Sequence, residues 1–144
     1  MTVAPAPPCV LAIDLGTSGC KAAVVSLEGR VVGAARAGID TIHLPEDGAE
    51  QDPEAAWNAV RSACRVAVAS ANVPAADIRA VICAGQYSSV VPVDADGVPT
   101  MNMLLWLDKR GATSRLRQLP GFPKGSDSPL QLLTWLRLHG LPQE

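Results

Sequence analysis

A chain of 144 residues is long enough for one domain with its own core and too short for two of ordinary size. Apolar residues make up 48% and charged residues 18%, which argues against a disordered chain, and no apolar run approaches the roughly 20 residues that span a bilayer. The net charge is −2 and the basic residues are spread out, apart from a mild cluster at Lys109, Arg110, Arg115 and Arg117, so there is no dense basic face for nucleic acid.

Residues 1–8, "MTVAPAPP", lack the positive and long apolar regions of a secretory signal, and their prolines predict an extended, frayed lead-in. The domain is expected over 9–144. The run Cys9 to Leu15, the glycine-bearing "GTSG" and then "CKAAVVS" predict two short strands joined by a tight turn. In "LEGR", Gly29 stands where a hairpin needs positive φ, and "VVGAARAGI" reads as a third strand. The chain therefore opens as a three-stranded antiparallel meander.

The segment Asp40 to Gln51, with Pro45, Gly48 and several acids, is expected to be a surface loop. Asp52 is a good N-cap and Pro53 suits the first helical position; Trp57, Val60, Cys64 and Ala67 recur on one face and predict a helix to about Ser70, with Trp57 in the core. "IRAVICAG" reads as a buried strand and "SSVVPVD" as another, with Pro92 arguing for an edge or an early end. "DADG" at 94–97 is a turn signal, "MLLW" a short apolar run, and "DKRGATSRLRQL" a helix that Gly111 weakens. A last amphipathic helix begins at Ser128 and Pro129, carrying Leu132, Leu133, Trp135 and Leu136. The cysteines Cys9, Cys20, Cys64 and Cys83 lack CxxC spacing and sit among Val, Ala and Ile as small hydrophobes, which fits a reduced cytoplasm. His43 and His139 have no spacing partner for a metal.

The densest chemistry lies in "IDLGTSG". Asp14 closes a strand, and Gly16, Thr17, Ser18 and Gly19 let backbone N–H groups and hydroxyls converge, with Lys21 as a nearby cation. Donors on a glycine-permitted turn beside a carboxylate suit a phosphate and its Mg²⁺, the metal held through water. An ordinary hairpin with an Asp-started turn is the competing account, for no Walker A or GxGxxG pattern occurs.

"IDLGTSGCK", "EQDPEAAW", "CAGQYSSVVPVDADGVP" and "LLWLDKRG" follow one another as related segments do in carbohydrate kinases of the FGGY family. The chain resembles that family from Val10 to Gly140, and most closely its xylulokinase-like branch. The resemblance implies an α/β, ribonuclease H-like lobe of the actin/hexokinase superfamily. It also implies ATP-dependent phosphorylation of a sugar or polyol, a ketopentose such as xylulose first, with ATP and Mg²⁺ as cofactors. Asp14 would then act near the metal, and Gly16, Thr17, Ser18, Gly19 and Lys21 would meet nucleotide phosphate.

"GQYSS" stands where such kinases present sugar-contacting side chains, so Gln86, Tyr87 and Ser88 become candidates, although members read Gln-Met-His or Gln-Arg-Glu there. Tyr87 could stack on a sugar ring, or simply close the edge of a core. "WLDKR" resembles Trp-Asn-Asp-x-Arg, with Leu107 in place of the amide; Trp106 would wall the sugar pocket. Asp108 is a polar contact at its rim, a structural partner of Arg110, or the N-terminal residue of a solvated helix start.

In the family the proton-abstracting aspartate lies beyond the aligned positions, followed by the ATP-binding lobe. The expectation is a partial N-terminal domain, incomplete and inactive alone, with no base assigned: Asp94 and Asp96 sit in a turn. A sugar or polyol is the expected partner, without nucleic acid or membrane, and a homodimer or a complementing chain stays open. The alternative is a non-catalytic carbohydrate-binding or regulatory remnant.

Overall fold

The computed structural model describes residues 8–113 and Arg137. The strands are β1 Cys9–Gly16, β2 Gly19–Ser26, β3 Val31–Gly38, β4 Ile42–Leu44, β5 Gly48–Gln51, β6 Ile78–Gly85 and β7 Met103–Leu104, and helix α1 spans Pro53–Ala71. They fall into two compact units: residues up to Ile39 with Ala55–Gly85, and Asp40–Glu54 with those from Gln86 on. Among the described residues no helix is long and apolar enough to cross a membrane.

The first unit is a four-stranded sheet in the order β3-β2-β1-β6, antiparallel along the opening meander and parallel between β1 and β6. Side chains alternate across β2, and Cys20, Ala22, Val24 and Ser26 are buried on one face. Helix α1 lies close to this sheet at Gly33, where an added Cβ would overlap the Ala67 carbonyl and the Ala71 backbone. Close approach demands small residues on the helix as well. The buried face of α1 is accordingly Ala56, Ala59, Ala63, Ala67 and Ala71, with the expected Val60 and Cys64 half-buried beside it, whereas Trp57 is exposed. Asp52 caps the helix by accepting the Glu54 N–H at 2.9 Å, and the chain leaves it through Asn72 in the left-handed region. Gly29 has φ 81° in the β2–β3 turn, the conformation its position called for.

Three expectations are corrected here. β6 is not a buried strand: it pairs with β1 only, among the described residues, and leaves Val81 and Ile82 more than 60% exposed. "SSVVPVD" forms isolated bridges, Val90 to Leu104 and Val93 to Pro99, in place of a strand. Cys83 is exposed, unlike Cys9 and Cys20, because it rides on β6.

The second unit overturns the surface-loop expectation for Asp40 to Gln51. β4 and β5 form a hairpin whose turn places Glu46 and Asp47 at positive φ, and all four residues of β5 are buried. β5 continues the sheet to β7 through the pairs Glu50–Leu104 and Gln51–Met103, and Leu104 packs with Val90 and Met101. An apolar pattern could not reveal β5, because its interior residues include Glu50 and Gln51, whose burial depends on hydrogen-bond partners far along the chain. Of the predicted helix after Asp108, a 3₁₀ turn at Arg110–Thr113 is described. The rest of that helix, the residues before Pro8 and His139 lie outside the described residues, as does the last helix apart from a helical Arg137.

Candidate active site

In the first unit, the β1–β2 register runs to Gly16 opposite Gly19, so Thr17 and Ser18 form a two-residue turn. Gly19 has φ 145°, and a Cβ there would overlap the Ala37 carbonyl of the adjacent strand, so glycine is required at this close approach. The Ser18 carbonyl accepts the Ile39 N–H at 3.3 Å, which ties the turn to the end of β3.

The same register places Asp14 opposite Lys21 and Lys21 opposite Arg36, one row of charge across three strands. Next to it on the same face, Ala12, Ala23 and Ala34 form a second row, and together the two rows line an open concavity of about 580 Å³. Lys21 Nζ lies 3.3 Å from Asp14 Oδ2, both groups well exposed. No carboxylate among the described residues pairs with Arg36. Like charges directly opposite one another on a sheet repel, so Lys21 and Arg36 form an arrangement that an anion would relieve. Both also line a small depression with Ser18 and Gly19 at the turn. Arg36 escaped motif reading; its signal was the meander itself, which makes it the cross-strand partner of Lys21.

This geometry fits a nucleotide phosphate. Asp14 brings one accessible carboxylate. That suits Mg²⁺, which keeps several waters and takes much of its coordination from phosphate oxygens.

In the second unit, the chain after β6 turns sharply: Ser88 adopts φ 65° and Tyr87 projects outward, 77% exposed. The Gln86 amide is held at both ends, its Nε2 donating to Gln51 Oε1 at 3.0 Å and its Oε1 accepting from Ser89 Oγ at 2.9 Å. Ser89 Oγ also accepts the Trp106 N–H at 3.3 Å, and the Trp106 ring is 40% exposed. Gln86, Tyr87, Ser88 and Trp106 are thus tied into one segment through Ser89, a residue the motifs did not single out.

Asp108 stands differently. It is 2% exposed; its Oδ2 accepts the Ala49 N–H at 3.1 Å and its carboxylate takes the Arg110 Nε and Nη2. Arg110 Nη2 also reaches Glu50 Oε1, and Glu50 Oε2 accepts from Asn102 Nδ2 at 2.9 Å. Burial opposes the charge on Arg110, yet the hydrogen bonds it donates to Asp108 and Glu50 hold its pKa above the ordinary value. Of the roles the sequence left open for Asp108, this is the geometry of the structural partner; a rim contact with substrate would need an accessible oxygen, and its burial contradicts a solvated helix start. Asp94 is likewise a turn residue, its Oδ1 accepting the Asp96 and Val98 N–H groups. Burial pushes the Cys20 and Cys64 thiols up, away from nucleophilic use.

The sheet and its glycine-flanked turn place the fold among sugar-kinase lobes. The model for the N-terminal domain of the FGGY family of carbohydrate kinases matches residues 9–139, and the chain belongs to that family. It is 36% identical over 102 residues to a glycerol kinase of Allorhizobium ampelinum, covering 70% of this chain and 20% of that protein. A xylulose kinase structure from Rhodospirillum rubrum matches 71% of the chain, and 21% of its own, at 25% identity and TM-score 0.64. The ligand-bound xylulose kinase from Lactobacillus acidophilus shares the fold over 90% of the chain and 28% of its own, with TM-score 0.75 and 20% identity. The chain spans about a fifth of the length of the curated relatives it matches. Kinases of this family use ATP and typically a divalent metal.

Proposed function

We propose that this chain supplies the first phosphate grip and part of the acceptor pocket of an ATP-dependent sugar or polyol kinase. The observation that carries this is the charged row Asp14, Lys21 and Arg36 beside the Gly16–Gly19 turn. Phosphoryl transfer asks a protein mainly for positioning and charge neutralisation, and here backbone and hydroxyl donors of Thr17 and Ser18 stand with two cations at one strand end. Asp14 would hold Mg²⁺ through water, and the metal would neutralise the phosphate oxygens. Lys21 and Arg36 would meet the charge left over.

Gln86, Tyr87, Ser88 and Trp106 would read the acceptor: an amide and a hydroxyl for its hydroxyls, exposed aromatic faces for its carbon skeleton. Asp108 acts behind them, by fixing the segment that follows Trp106. A ketopentose such as xylulose is the favoured acceptor, supported by the name of the Rhodospirillum rubrum neighbour; glycerol, from the name of the Allorhizobium ampelinum relative, is its competitor. Free cysteines suit a reducing, cytoplasmic setting. A coupled ATP-consumption assay of the complete protein carrying this chain, over glycerol and a panel of pentuloses, tests the reading. Acceptor-dependent turnover supports it, and none with any acceptor defeats it.

The exposed Tyr87 and Trp106 also favour a second reading, carbohydrate binding without phosphoryl transfer. Calorimetry of the chain with the same sugars would then give heat while ATP gives none.

A further inference from the structure

Gln51 ends β5, is fully buried, and has its backbone paired with Met103. A primary amide in such a place needs partners for both its ends. Its Nε2 donates to Thr41 Oγ1 at 3.4 Å and its Oε1 accepts from Gln86 Nε2. From Gln86 the chain of hydrogen bonds continues to Ser89 Oγ and from there to the main-chain N–H of Trp106. One end of this relay is a buried strand residue; the other is backbone. The stretch between them carries two of the candidate acceptor contacts.

We infer that Gln51 and Ser89 are positioning residues: together they fix the plane of the Gln86 amide and the entry of the Trp106 ring, so that both face a polyhydroxylated acceptor already ordered. The inference rests on the sugar-kinase reading above and extends it to two residues that touch no substrate. A glutamine left to itself has three side-chain torsions to immobilise on binding, and the relay removes that cost beforehand. An amide held in one plane also presents its donor and acceptor at a set spacing, which favours vicinal hydroxyls of one configuration over another. Ser89 is the key member, because its single oxygen joins Gln86 to Trp106.

The test compares Ser89→Ala, Ser89→Thr and Gln51→Met in the complete protein, with thermal melting to confirm folding. Ser89→Ala should raise the KM for the acceptor about ten-fold, the scale of one lost ordering contact, while the KM for ATP moves less than about two-fold. Ser89→Thr, which keeps the hydroxyl, should restore the acceptor KM, and Gln51→Met should resemble Ser89→Ala. An unchanged acceptor KM in Ser89→Ala, or equal losses for acceptor and ATP, overturns the inference. A second readout separates it from the reading beneath it: the side-chain amide protons of Gln86, followed by NMR in the 144-residue chain. They should exchange slowly in the parent and quickly in Gln51→Met, which removes their acceptor. If the complete protein turns over no acceptor, the kinase reading fails, whereas an amide that stays protected in Gln51→Met sinks the relay itself.

Discussion

In the four-stranded sheet, Asp14, Lys21 and Arg36 stand in solvent above strands whose buried side is Cys20, Ala22, Val24 and a row of helix alanines. Around β5 and β7 the charged residues Glu50, Asp108 and Arg110 are themselves interior, held by one another and by Ala49 and Asn102. The same residue types thus carry opposite burdens. Where charge is exposed and only partly compensated it can serve a ligand; where it is buried and fully engaged it sets the backbone that presents other residues. A charged residue in a kinase-like motif is therefore not by itself accessible to a ligand: Asp14 is exposed, and Asp108 is buried.

Replacing Arg110 by Ala should do the most damage, because Asp108 and Glu50 would remain buried with their shared cation gone. Chemical denaturation should show a loss of about 3–5 kcal/mol; a loss below about 1 kcal/mol would mean the cluster is not the structural centre of its unit. Gly33→Val comes next, since its side chain would run into the α1 backbone, and about 1–3 kcal/mol should be lost in the same measurement. A neutral result there would place α1 further from β3 than the overlap at Ala67 and Ala71 requires.

Asp52→Ala removes the side-chain acceptor for the Glu54 N–H and should cost about 1 kcal/mol, with helical circular dichroism melting earlier. Lys21→Ala should be the mildest for stability, about 0–1 kcal/mol as for exposed ion pairs. Its effect should appear instead as Mg-ATP affinity about ten-fold weaker in the complete protein, the worth of one charge-assisted hydrogen bond. A Lys21 variant that is unstable yet binds nucleotide normally would erase the contrast between the two regions.

The opening meander, its glycine turns and the capped start of α1 were legible because local rules specify them: alternation, φ at Gly29, Asp52 before Pro53. The two-residue turn at Thr17 and Ser18 was legible for the same reason. What stayed hidden depends on distance along the chain. β5 could not be seen as a strand while the partners of Glu50, namely Asn102 and Arg110, lie more than fifty residues away. The alanine face of α1 was outranked by Trp57 and Val60, since nothing in the helix itself announces that Gly33 lets it come so near. Arg36 became a candidate only when strand register placed it opposite Lys21.

The division of labour between the two regions is open to a single measurement, an NMR titration of the isotope-labelled chain with Mg-ATP and, separately, with xylulose and glycerol. Mg-ATP should shift the resonances of Gly16 to Lys21 and of Arg36, while the acceptor should shift Gln86 to Ser89 and the Trp106 indole. Acceptor and nucleotide perturbing one common set of residues, or neither perturbing these, would contradict the account.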